Sequence, residues 1–152
     1  MKKMNENPIN MVNITSKENV FRSATASGKI MLRKTTIKSI RESGIKKGDP
    51  LTVGEIAAIL AVKNTPMFIP LCHNIPIGKV DVVYRLSEKF IDAECTVITN
   101  SQTGVEMEAL IGVTIALLNI WDMTKYLEKD EKGQYPDTVI TDIKIIEKRK
   151  EA

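Results

Sequence analysis

The stretch Thr103–Leu127, TGVEMEALIGVTIALLNIWDMTKYL, decides the fold, because 13 residues without a charge, Ala109 to Trp121, lie between two charged clusters. Thr103 and Glu106 stand at capping-box spacing: the Thr hydroxyl can accept from the Glu106 amide while the Glu carboxylate takes the Thr amide, which predicts a helix start here. At about 100° per residue, Leu110, Val113, Leu117 and Ile120 share one face, and Ile111, Ile115 and Leu118 share a nearly opposite one. An uncharged run this short falls below the roughly 20 residues that span a bilayer. The pattern therefore predicts a helix buried between two protein layers.

The charges at its ends are Glu106 and Glu108 before the run, Asp122 and Lys125 after it. Glu106 and Glu108 point about 200° apart, so a capping Glu106 leaves Glu108 free to face something else. Glu108, Asp122 and Lys125 fall within an arc of about 100°, on the side of Ile111, Ile115 and Leu118. That side reads as the site-bearing face.

Working outward, Ile9 to Ile14 and Val20 to Leu32 read as strands, the second alternating Ala24, Ala26, Gly28, Ile30, Leu32. Thr36 to Ser43 has helical spacing, with Gly44 as terminator. Thr52 and Glu55 form a second capping box, opening a helix that runs to Lys63 and is stopped by Pro66. Met67 to Pro76, MFIPLCHNIP, is apolar but broken by prolines, and reads as a constrained loop. Lys79–Leu86 and Phe90–Thr99 alternate as a hairpin around Ser87, Glu88 and Lys89. Thr138 to Ile146 is a last strand before a charged tail. The order ββαα, ββ, α, β predicts an α+β fold, a largely antiparallel or mixed sheet with helices packed against it.

A chain of 152 residues with 43% hydrophobic content holds one ordinary domain, 1–152, with material for a real core. The net charge of +3 permits an anionic ligand without demanding nucleic acid. Two lysines in MKKMNENPIN are followed by no apolar segment, so no secretory signal is expected. Two cysteines fit a reducing cytoplasm.

Each motif that could carry chemistry has a plainer reading beside it. Gly44-Ile-Lys-Lys-Gly48 lacks the GxxxxGK[ST] pattern of a nucleotide-hydrolysing loop, and by itself the Lys46/Lys47 pair reads as a solvated turn. His73, the single histidine, divides between a structural role and a functional one favoured by its setting between prolines. Cys72 beside it suggests zinc, but a structural zinc needs four ligands, which two Cys and one His cannot supply, so no metal is expected. Cys72 reads better as a small apolar residue than as a nucleophile. Glu106 divides between cap and site. Asp122 and Lys125, at i and i+3, are either a surface ion pair worth under about 1 kcal/mol or a pocket pair. Trp121 reads as core or interface.

Four segments in order, Lys47-Gly48-Asp49, Ile69-Pro-Leu-Cys-His73, Thr103-Gly-Val-Glu-Met-Glu-Ala-Leu110 and Asp122-Met-Thr-Lys125, resemble the motifs of the cyclic pyranopterin monophosphate synthases, the MoaC family of molybdenum cofactor biosynthesis. Met11-Val12 with Ser16-Lys17 resembles that family's first strand, and the similarity runs from about residue 11 to 147. The resemblance implies a ferredoxin-like subunit, a hexamer built as a trimer of dimers, and a pocket at a subunit interface. It implies conversion of 3′,8-cyclo-7,8-dihydroguanosine 5′-triphosphate to cyclic pyranopterin monophosphate and diphosphate. No resident cofactor is implied beyond Mg²⁺ carried by the triphosphate, and neither a nucleic-acid nor a membrane partner.

Position by position, the resemblance implies Asp122 as the active-site acid with Lys47 and Lys125 as catalytic lysines. It implies Leu71, Cys72, His73, Glu106, Met107 and Glu108 as substrate contacts, and Lys63 and Arg22 as cations near the triphosphate. The chemistry agrees with those residue types. Ring opening and pterin closure need acid and base groups, and cyclisation on the α-phosphate needs cations at the leaving diphosphate. The chain departs from the family pattern at Asn13, Thr25, Asn64 and Asn74, and ends in EKRKEA where a glycine-rich tail is usual. Two of those departures replace arginines, whose bidentate grip Thr and Asn do not reproduce. Two other classes fit the residues alone. One is an RNA-binding module, disfavoured by 5% aromatics with none paired on a strand; the other is a non-catalytic oligomer.

Overall fold

The computed structural model describes residues 8–152; most of the N-terminal segment read for a secretory signal lies outside the described residues. The elements are β1 (Val20–Met31), α1 (Lys34–Arg41), α2 (Pro50–Lys63), α3 (Thr65–Phe68), β2 (Lys79–Leu86), β3 (Phe90–Ser101), α4 (Glu106–Glu128) and β4 (Val139–Glu151). The sheet order is β2-β3-β1-β4, and all three pairings are antiparallel. Strand β3 lies between β2 and β1, and β1 between β3 and β4, so two split β-α-β units interlock as in ferredoxin-like folds.

Strict period-two burial builds the inner sheet face. Along β3, Ile91, Ala93, Cys95 and Val97 are buried while the residues between them are not, because successive side chains point to opposite faces. Ala24, Ala26 and Ile30 of β1 join them, and Val113, Leu117 and Ile120 of α4 close the core from above. The far sheet face is polar and carries ion pairs such as Lys29–Asp92 and Arg85–Glu94.

Helix α4 does lie between two layers. The sheet covers its Val113/Leu117/Ile120 side, and α2 covers the neighbouring side through small residues. A side-chain carbon on Gly112 would meet Cys95 Sγ at 2.5 Å and Val62 Cγ2 at 2.9 Å, so only glycine lets α2, α4 and β3 close this tightly. By length and composition α4 could cross a membrane, yet half of its apolar window is buried inside the protein. The second apolar face is different: Ile111 and Ile115 are half-buried and Leu118 is exposed, so it remains partly open.

Several local expectations are corrected. Ile9–Ile14 forms no strand; it pairs with no sheet edge, and its end is a turn in which Asn13 Oδ1 accepts from Thr15 N and Oγ1. Asp49, not Thr52, caps α2, accepting from Leu51 N at 3.0 Å and Thr52 Oγ1 at 2.6 Å, with Pro50 in the first turn. Helix α1 ends earlier, and Ser43 rather than Gly44 takes the left-handed conformation, at φ 57°. No side chain caps α4 at Thr103: its N-cap is Val105, and Glu106 turns to another partner. The proline-rich loop begins with the short helix α3, and β4 runs on to Glu151.

Candidate active site

Two clusters form at opposite ends of α4. At the C-terminal end, one carboxylate bridges two ammonium groups: Asp122 Oδ2 lies 3.0 Å from Lys47 Nζ and Oδ1 lies 2.9 Å from Lys125 Nζ. Lys47 also donates to the Asp122 backbone carbonyl at 3.3 Å. The α1–α2 loop brings Lys47 here because it is clamped to α4. The Lys46 amide donates to Tyr126 Oη at 2.9 Å, and the Lys46 ammonium sits 5.2 Å from the Tyr126 ring. Gly48, at φ 115°, then supplies a turn that side chains rarely adopt before the Asp49 cap. Both lysines lie exposed in a turn, as the solvated-turn reading expects, and each also finds a partner on α4. Hydrogen bonds from Lys125 and then Lys47 hold the Asp122 carboxyl below its ordinary range, and Asp122 in turn raises Lys125. All three side chains are about half exposed, so the trio stands open to solvent in the single chain.

At the N-terminal end a cavity of about 510 Å³ opens, within the size range of small-ligand sites. Leu71, Cys72 and His73 line it from the proline-rich loop, and Glu106, Met107 and Glu108 from the first turn of α4. The loop is held by a turn of its own and by a tie to β3: Cys72 N donates to Ile69 O at 3.0 Å, and Pro76 O accepts from Thr99 Oγ1 at 2.5 Å. His73 is structural and site-lining at once, its Nε2 donating to the Val12 carbonyl at 2.6 Å and so drawing the N-terminal segment over the cavity. Burial, and then the charge of Glu108, pushes the Cys72 thiol up, which suits a small apolar lining residue better than a nucleophile.

The two carboxylates of this cavity differ. Burial pushes Glu106 up, but Lys148 Nζ at 2.5 Å, its own backbone amide, and the charges of Lys148 and Arg22 outweigh that and leave it lowered. Glu108 is raised, by burial first; its own amide opposes that and the Glu106 charge adds to it.

Glu108 does not meet Asp122 and Lys125, as fourteen positions on one continuous helix require: about 21 Å at 1.5 Å per residue. Arg22 lies beside the cavity with its guanidinium on the carbonyls of Ser101 and Gln102, at 3.3 and 3.4 Å. Lys63 is exposed at the end of α2, outside the cavity lining. Thr25 hydrogen-bonds Thr96 at 2.7 Å on the sheet face turned away from the cavity, so its departure from arginine leaves this cavity untouched. Trp121 is half-buried and packs edge-to-face on Tyr135. No group of three or more His, Cys, Asp or Glu suited to a metal converges among the described residues.

Val12, Ile14, Lys17 and Lys148 were not foreseen as site residues. Extending the last strand two residues past Ile146 would have found Lys148, which pairs with Ala24 of β1. The His73 tie carries its own test. His73→Ala is expected to release residues 8–17, raising their amide exchange, and to weaken ligand binding about tenfold or more; unchanged exchange and affinity would refute both roles.

A ferredoxin-like chain with a lysine-bridged carboxylate at one end of its long helix and a two-carboxylate cavity at the other carries the groups of an acid–base enzyme. The chain belongs to the MoaC family, whose model matches residues 11–151. It is 54% identical to a protein of Pyrococcus abyssi over 97% of this chain and 92% of that one. Identity is 56% to one of Aeropyrum pernix over 92% and 96%, and 54% to one of Methanosphaerula palustris over 97% and 96%. All three are named probable cyclic pyranopterin monophosphate synthases.

Proposed function

We propose that this chain is a cyclic pyranopterin monophosphate synthase, converting 3′,8-cyclo-7,8-dihydroguanosine 5′-triphosphate to the cyclic pyranopterin monophosphate with release of diphosphate. The observation that carries the reading is the Lys47–Asp122–Lys125 trio, formed by motif segments from two separate elements. An ionised carboxylate held between two lysines can accept a proton, and the lysines can donate one or balance charge on a leaving diphosphate. Leu71, Cys72, His73, Glu106, Met107 and Glu108 serve as substrate contacts, with Arg22, Lys63 and Lys148 as cations around them. Incubation with the cyclised GTP intermediate, scored for cyclic phosphate product and diphosphate, tests this directly; absence of turnover by the intact protein would sink it.

The reacting site is shared between two chains in this reading. A cavity at one end of α4 and a trio about 21 Å away are brought together when two α4 helices cross antiparallel about a two-fold axis near Ile115. Glu108 of one protomer then faces the trio of its partner, as isologous symmetry requires. The partly open Ile111/Ile115/Leu118 face supports such a seam, and three such dimers make the hexamer. Mixing inactive Glu108→Ala and Asp122→Ala under subunit exchange should restore roughly a quarter of the intact sites, because half the dimers are mixed and each has one complete site. Verified exchange without recovery would overturn the shared site.

Charge for the chemistry comes from lysines, so no resident metal is needed; Mg²⁺ enters only with the triphosphate. Chelation of the purified protein should leave turnover unchanged once Mg²⁺ is restored with substrate, and stoichiometric bound zinc would contradict this. A cytoplasmic location suits the two free thiols, Cys72 and Cys95. No nucleic-acid or membrane partner belongs to this reading.

A further inference from the structure

Of residues 131–137, Tyr135 alone is not exposed, and the turn that carries it is fastened on both sides. Before it, the Asp130 carboxylate accepts from the amides of Lys132 and Gln134 at 2.8 and 2.9 Å, and the Asp130 amide donates to the Gln134 carbonyl at 2.9 Å. Gly133, at φ 74°, makes the bend. After it, Pro136 biases the Tyr135 backbone toward an extended conformation, and Arg33 Nε holds Asp137 at 3.1 Å. The Tyr135 ring is thereby set edge-on to Trp121, with centroids 5.2 Å apart and planes at 67°.

Trp121 in turn stands next to the trio. Long side chains on a helix lean toward its N-terminus, onto the residues three and four positions earlier; for Lys125 these are Asp122 and Trp121. The first supplies the carboxylate, 2.9 Å from Lys125 Nζ. The second, an i, i+4 neighbour, supplies an indole along which the lysine stem can lie. Asp122 raises Lys125 through its hydrogen bond and then its charge, burial opposes this, and Tyr135 adds to it, so the phenol also lies near the ammonium. Unconfined, a half-exposed lysine samples many rotamers, since its side chain has one of the largest conformational entropies.

We propose that Tyr135 is a positioning residue of the trio: clamped to Trp121, it holds the indole as a wall that confines the Lys125 side chain within reach of Asp122. This role rests on the synthase reading for the reaction it serves, though not for the confinement itself. It is compatible with two chains meeting at the trio. Trp121 stands about 60–120° around α4 from Ile111, Ile115 and Leu118, on the flank reached by the loop before β4, so a partner docked on that apolar face leaves the wall in place. The wall is made of rings, so Tyr135→Phe preserves it and Tyr135→Ala removes it.

Two measurements test the role. With the cyclised GTP intermediate, Tyr135→Ala should lower kcat about tenfold and leave KM within about twofold, because the wall orients a lysine and does not grip the ligand. Tyr135→Phe should stay within about twofold of wild type in both. In a Lys125→Ala background, followed by single turnovers, Tyr135→Ala should cost no more than about twofold, since the side chain it acts through is gone. Wild-type kcat in Tyr135→Ala, a KM rise with kcat unchanged, or a tenfold cost that persists without Lys125 would each overturn the role. The second measurement needs no substrate. Carbon-13 relaxation at the Lys125 ε-carbon, assigned by its loss in Lys125→Ala, should give a lower order parameter in Tyr135→Ala and the wild-type value in Tyr135→Phe; an unchanged value in Tyr135→Ala refutes the confinement. Should Tyr135→Ala not fold, Tyr135→Leu, which keeps apolar bulk without the ring edge, replaces it with the same expectations. If the wild-type protein does not convert the intermediate, the synthase reading fails, and the relaxation measurement still decides whether Tyr135 confines Lys125.

Discussion

Lys47→Ala and Lys125→Ala are each expected to lower turnover of the cyclised GTP intermediate by about 10²–10⁴-fold, the range for removing a positioned acid or base. The reason is electrostatic as much as chemical. Each oxygen of Asp122 is engaged by one lysine, so losing either ammonium frees half the carboxylate and relaxes the hold that keeps Asp122 ionised. Stability should hardly change, because both lysines are about half exposed and exposed pairs of this kind contribute at most about 1 kcal/mol. A loss of turnover without a shift in thermal midpoint is therefore the expected signature, measured by diphosphate release and calorimetry on the same samples. Near-normal turnover in either variant, with the oligomer intact, would remove the trio from the chemistry. The acid limb offers a second check. Asp122 is lowered in the folded protein, so activity that depends on its ionised form should persist into acid below the ordinary carboxylate range and be lost only as pH falls through that lowered value.

Glu128→Ala should produce the largest loss of stability and leave the trio's chemistry in place in whatever folds. Glu128 is fully buried at the last turn of α4. Its carboxylate accepts from the Arg33 amide at 3.2 Å, from the Thr138 hydroxyl at 2.7 Å and from the Thr36 hydroxyl. It thereby ties α4 to the β1–α1 connection and to the entry of β4. Truncation leaves those donors unpaired in the interior, at about 1–3 kcal/mol each if none finds another partner, and the partial relaxation usual around a cavity points to a total of about 3–5 kcal/mol. For a chain of this length that corresponds to a drop of roughly 10 °C in thermal midpoint. Glu128→Gln should lose part of the same energy, because an amide brings donors to a site that is already rich in them. A loss under about 1 kcal/mol for the alanine variant, in urea melts extrapolated to water, would show that the tie is dispensable.

Glu128 had one sequence signal that reasoning from pattern passed over. An acidic residue in the last helical turn opposes the helix dipole, so its presence there asks for specific partners. Glu106 is the converse case. Its spacing from Thr103 fits a capping box, yet its carboxylate goes to Lys148, 42 positions later in the chain and on strand β4. Local spacing shows which hydrogen bonds a side chain can make, and a charged partner delivered by the fold outcompetes a neutral backbone donor.

By itself the sequence determined the α+β class, the positions of β1, α2, β2, β3 and α4 to within a few residues, the buried Val113/Leu117/Ile120 stripe, and the family motifs with their candidate residues. These are legible because side-chain periodicity follows from backbone geometry, and because each motif is a contiguous run. Only the tertiary structure decided that the motifs separate into two clusters. The α1–α2 loop carries Lys47 to the far end of α4, while the proline-rich loop and the N-terminal segment close around its start. The separation of Glu108 from Asp122, by contrast, follows from the sequence once one continuous helix is assigned, because fourteen residues rise about 21 Å along the axis whatever their angle around it. The Glu106–Lys148 pair and the Glu108 oxygen that has no partner among the described residues were likewise invisible in the chain, since burial and long-range pairing exist only once the sheet has set β4 beside β1.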